Sequence, residues 1–279
     1  MYSPIWRALT REAAIAGQSI SAGLGSLRSA NYAATGLYSH AFFSLSIGFE
    51  RFLKLIFLID FALKNQSAFP TDNDLRKKFG HDLEKLFAYA ITVHERLRKK
   101  RSHFPLRSGG LEHEIIHFLS AFATRTRYYN LDFLVGAQAI ISSNDPVAEW
   151  YETIGQKILV KHYTNRQQQK DLREAAIIEA MVAGSAGAIV LHTAEDGSPI
   201  TSLAAGALQT GKNKVLQKYG TFYCAKIARF LYMVMYELVH EAHTAGLGIP
   251  YLYELFFPFM NDDAYLLSRK TFPPQGQGR

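Results

Sequence analysis

Apolar side chains recur every three or four residues along most of this chain, the signature of helices that bury one face. The longest such signal in the first half runs from about Gly36 to Lys64, where Phe42, Leu45, Phe49, Phe52 and Ile56 form one stripe. The stripe is broad, which predicts a central core helix. Glu50 and Lys54 stand four apart in the order that favours an ion pair. Ahead of it, Ser3 followed by Pro4 reads as a cap and first turn. It predicts a helix from Pro4 to about Gly23, ended by the stretch around Gly23 and Gly25.

Pro70 and Thr71 break the pattern, and Gly80 separates a short helix from one over about His81–Lys100. A loop follows from Ser102 to Gly110, then helices near Leu111–Thr126 and Asn130–Ile141. Asp145 and Pro146 cap another helix to about His162, and Asn165 begins one that ends near Gly184. The stretch 188–203 differs in character. Ile189, Val190 and Leu191 precede Asp196-Gly197, and Ile200 and Leu203 follow, the pattern of a small β-hairpin. A flexible loop should then lead into a long helix over about Val215–Ala245. Pro250 and Pro258 punctuate a short aromatic tail, frayed from Pro273. The predicted fold is all-α: an N-terminal helix in 1–29, a helical bundle in 30–143, and a C-terminal helical unit in 144–279 packed on it.

Composition narrows the class. With 279 residues, 48% of them apolar, the chain can bury a sizeable core. A net charge of +7 and a pI of about 9.3 suit a polyanionic partner, of which nucleic acid is the usual one. Cys224 is the single cysteine, so no disulfide forms within the chain. The apolar run from Phe52 to Leu63 is broken by Lys54 and Asp60, too short and too charged to cross a bilayer. The N-terminal residues lack the apolar core of a secretory signal. A cytoplasmic protein without a membrane span is expected.

Two segments bear a family likeness: SIGFERFLKLIFLIDFAL, with Glu50, Arg51 and Lys54 as an E-R-x-x-K core, and GHDLEKLFAYA, where G-H-D-L opens a helix at Gly80. Together with FLSAFATRTRYYNLDFL from Phe118 to Leu134, they resemble HEPN domains over about 39–138. These are four- or five-helix bundles of ribonuclease toxins, anti-phage defence proteins and RNA-processing factors. The resemblance implies RNA binding, a homodimer, a regulatory protein partner in such systems, and metal-independent RNA cleavage with no cofactor. Active members carry R-x(4–6)-H, which Arg98 and His103 match; Arg96 to His103 fits the longer spacing. His103 would move the proton and Arg98 hold the phosphate. Arg96, Lys99, Lys100 and Arg101 would contact phosphates, helped by Arg125, Arg127 and Tyr128. Two features depart from the family pattern. Lys99 follows Arg98 where a polar residue is usual, and the motif directly follows the G-H-D-L helix. A non-catalytic module that binds RNA or protein is the alternative.

Other constellations compete. His113, Glu114 and His117 form H-E-x-x-H, whose spacing puts two imidazoles on one helical face with a general base beside them, as in zinc proteases. Glu237 to His240 is a single E-x-x-H, where di-iron bundles need two with further carboxylates. Gly206 to Asn213 matches a phosphate-binding loop but ends in Asn, without the hydroxyl for magnesium. His81 and Asp82 read as a helix start.

Overall fold

The computed structural model describes residues 2–97, 106, 108–136, 145–182 and 192–273. The fold is all-α with one small hairpin. Helix α1 (Pro4–Leu27) begins as its cap predicts, with Ser3 accepting the Trp6 amide at 3.1 Å. It continues through Gly23 and Gly25, past the end that the sequence predicts for it. The reason is packing against α2 (Gly36–Lys64): a Cβ on Gly23 would lie 2.6 Å from Leu45 Cγ, and one on Gly48 of α2 would lie 2.8 Å from the Ile20 backbone nitrogen. These glycines let two backbones approach, so their cost in helix propensity is offset by contact.

The expected helices follow with modest changes. Helix α3 (Asp72–Lys78) starts on a Thr71 capping box, and α4 spans Leu83–Leu97. Helix α5 (Leu111–Ala121) runs on into a π-helical segment, Phe122–Thr126. A short α6 (Tyr129–Leu134) follows. The helix capped by Asp145 is interrupted: α7 (Pro146–Trp150), a π segment (Tyr151–Gly155) and α8 (Gln156–His162). Helix α9 covers Asn165–Val182. The hairpin pairs β1 (His192–Thr193) antiparallel to β2 (Pro199–Ile200), and Gly197 turns with φ +82°.

The main departure is α10, which spans Leu203–Thr244 and so starts well before Val215. Ser202 caps it by accepting the Ala205 amide at 3.1 Å. Gly206 and Gly211 therefore stand inside a helix and not in a flexible loop. Gly211 makes room for the Asp171 carboxylate of α9, whose Oδ2 would lie 2.1 Å from a Cβ there. Helix α10 packs on α1, α2, α4, α5, α8 and α9, and one hydrophobic core joins its Ile227, Leu231 and Leu238 to Phe42, Phe52 and Leu86. The tail folds back as a 3-10 helix (Leu252–Phe259) and α11 (Asp263–Ser268). Phe256 stacks on Phe52 with centroids 3.6 Å apart, and Arg229 of α10, 3% exposed, donates to Asn261 O and Asp263. No described helix is long and apolar enough to cross a membrane.

Candidate nucleic-acid interface

The residues singled out by sequence fall in three places. Arg98, Lys99, Lys100, Arg101 and His103 lie outside the described residues. Arg96 ends α4, where its guanidinium engages the fully buried Asp60 of α2 and lies 3.3 Å from Glu241 of α10. Arg125, Arg127 and Tyr128 lie at the opposite end of the bundle. The start of α4 meets the end of α5 through Leu83 N donating to Ser120 Oγ at 3.1 Å. Thirteen residues of helix, about 20 Å at 1.5 Å each, separate Leu83 from Arg96. The structure thus keeps Arg96 away from Arg125, Arg127 and Tyr128 rather than joining them in one phosphate cradle.

The H-E-x-x-H side chains on α5 face different partners. Glu114 accepts from Lys157 at 2.7 Å, and His117 Nδ1 lies 3.0 Å from Glu84 Oε1. His113 lies edge-on to Phe87, its Nδ1 buried without a hydrogen bond. Glu237 lies 3.3 Å from His94, while His240 lies against Tyr236 and Tyr253. Among the described residues no three His, Cys, Asp or Glu side chains gather as a metal site. Asp82 accepts the Lys85 amide at 3.0 Å as a helix start should, and His81 Nδ1 lies 2.9 Å from Glu50.

A different cationic cluster forms where α8 meets α10. His162 stacks on Tyr219 with centroids 3.7 Å apart and planes 6° from parallel. Its Nε2 lies 2.9 Å from the Tyr223 hydroxyl, which also accepts from Lys161 Nζ at 2.8 Å. Lys218 lies over the Tyr219 ring at 5.5 Å. Burial first, and then the charges of Lys161 and Lys218, push the His162 pKa down to about 4. Nearby Lys157 and Lys226 are paired, with Glu114 and Glu112. Lys161 and Lys218 have no carboxylate within ion-pair distance among the described residues.

Sequence reasoning passed over this cluster, although one signal was available. From Leu203 to Tyr236, α10 carries Lys212, Lys214, Lys218, Lys226 and Arg229 and no Asp or Glu. Helix α9 lies beside that run and carries Arg166, Lys170 and Arg173 together with Asp171, Glu174 and Glu179, Lys170 pairing with Glu174 at 3.5 Å. The arrangement can hold phosphates on uncompensated ammonium groups and offers a neutral imidazole beside a tyrosine ring.

A cleft of about 450 Å³ opens at the hairpin end of the molecule. Arg127 and Tyr128 line it together with Thr126, Asp145, Ala194 and Glu195. The Arg127 guanidinium lies 4.9 Å from the Tyr128 ring centre. Glu195 is 3% exposed and accepts from the Tyr38 hydroxyl at 3.2 Å and Gln209 Nε2 at 2.6 Å. Burial, followed by this carboxylate, raises the Tyr38 pKa. Comparison with protein-family models, curated proteins and solved structures finds no match to this chain.

Proposed function

We propose that this protein binds RNA through the cationic face where α8, α9 and α10 meet. The observation that carries the reading is the placement of Lys161 and Lys218 beside the stacked His162–Tyr219 pair without carboxylate partners among the described residues. A paired surface cation has its charge already compensated, whereas an uncompensated one attracts phosphate and gives binding a salt dependence. The acid-free run of α10 and the net charge of +7 point the same way. Metal-independent cleavage by Arg98 and His103, a homodimeric assembly, and a toxin or anti-phage role belong to the same proposal. These rest on the HEPN resemblance alone.

The test is RNA binding across a salt series, with wild type beside a Lys161→Ala, Lys218→Ala double variant. Each lost phosphate contact should flatten the dependence of log affinity on log salt by about 1, so the double variant should lose about 2. An unchanged slope and affinity would sink this interface. Cleavage is assayed separately in EDTA, with His103→Ala and His117→Ala. Cutting that survives EDTA and disappears only in His103→Ala supports the ribonuclease. Activity abolished by EDTA and by His117→Ala would instead favour the H-E-x-x-H reading. Binding with no cleavage under any condition leaves a non-catalytic RNA-binding module.

A further inference from the structure

We infer that the cleft beside the hairpin is a pocket for an unpaired guanine base, with Glu195 reading the base edge. This deepens the RNA reading by naming the base. Its starting point is the carboxylate of Glu195, which is 3% exposed and has no cation within ion-pair distance among the described residues. A buried carboxylate is costly unless its lone pairs are met. Its two oxygens each accept one protein hydrogen bond, from Tyr38 and from Gln209. A carboxylate has roughly four acceptor positions, so about two remain open. The same residue lines the cleft, where those positions can meet a ligand.

The chemistry selects among bases. Guanine presents an N1–H and an N2–H side by side on its Watson–Crick edge, matching two carboxylate oxygens. Adenine and cytosine offer one amino group beside a ring-nitrogen acceptor, and uracil one N–H between two carbonyls. Each of those would set an acceptor lone pair against the negative charge. A second feature suits guanine as well. The Thr126 hydroxyl, also in the cleft lining, is buried with no hydrogen-bond partner. It can donate to the O6 carbonyl, which adenine lacks. Tyr128, 51% exposed at the same cleft, supplies a ring for stacking, and Arg127 beside it can meet a phosphate.

Calorimetric titration of the full chain with the 5′-monophosphates of guanosine, inosine, adenosine, cytidine and uridine, and with spermidine, tests the pocket. The guanosine form should bind at least about tenfold tighter than the adenosine, cytidine and uridine forms, the scale of one good bidentate base contact. Inosine, which lacks only the 2-amino group, should be weakened several-fold, a comparison that needs no variant. Glu195→Gln should remove the preference for guanine. If that variant fails to fold, Thr126→Val should still weaken guanosine monophosphate several-fold relative to wild type. Equal binding of all five nucleotides, inosine matching guanosine, or spermidine binding in their place would each overturn the proposal. Failure here is separable from failure of the RNA reading. RNA bound on the α8–α10 face without guanine selectivity removes only the pocket, and guanosine monophosphate bound by a chain that ignores RNA removes only the interface.

Discussion

Asp60 has a completely buried side chain on α2, where Arg96 and Tyr89 donate to its carboxylate and Lys64 pairs with it at 2.7 Å. An arginine held by two carboxylates has less charge to offer a phosphate, so Arg96 is first a structural residue. Arg96→Ala should lower unfolding free energy by about 1–3 kcal/mol, since it strands part of a buried acceptor. Urea denaturation checks this, and RNA affinity should change little; the reverse pattern would return Arg96 to the binding surface. His162 makes a second prediction at this scale. Its folded pKa of about 4 lies below the ordinary 6.5. The folded state therefore binds fewer protons, and stability declines as pH falls from about 6.5 towards 4. An NMR titration should show the imidazole neutral at pH 6, and Lys161→Ala should move its midpoint upward. A midpoint near 6.5 in wild type would contradict the burial and charge described at α8.

Among the elements, the α1–α2 pair depends on glycine for its close approach. A Cβ at Gly48 meets the backbone of Ile20 and not a side-chain tip that can swing away. Gly48→Ala should therefore destabilise by about 1–3 kcal/mol despite the better helix propensity of alanine. Thermal unfolding measured by circular dichroism decides it, and a stabilised variant would show that the two helices can part at no cost. Helix α10 makes the complementary point. Its large apolar residues crowd from Phe222 onward, whereas its first turns carry glycines and few large apolar residues. A pattern reader takes such a stretch for a loop. In the fold it is a helix, because Ser202 caps it and α9 lies close along it.

Across the whole molecule, residues of both sequence halves share one core around α10. Trp150, 3% exposed, packs against Phe42 and Phe118, joining α7 to α2 and α5. Unfolding followed by tryptophan fluorescence and by far-ultraviolet circular dichroism should give one coincident transition. Two separated midpoints would mean that the halves fold independently. The local part of this picture can be read directly from the residues. The periods of three and four residues, the caps at Ser3 and Asp145, the break at Pro70 and Thr71, and the Asp196-Gly197 turn made the all-α class and most element positions legible. Each depends on residues a few places apart, and local backbone chemistry suffices to read it. The continuation of α1 through Gly23, the early start of α10, and both candidate surfaces were decided by tertiary structure. Lys161 meets Tyr223, Arg96 meets Asp60, and Glu195 meets Tyr38 across tens to more than a hundred residues of chain. No local period carries such pairings, because they arise from how the helices pack and which charges that packing leaves without partners.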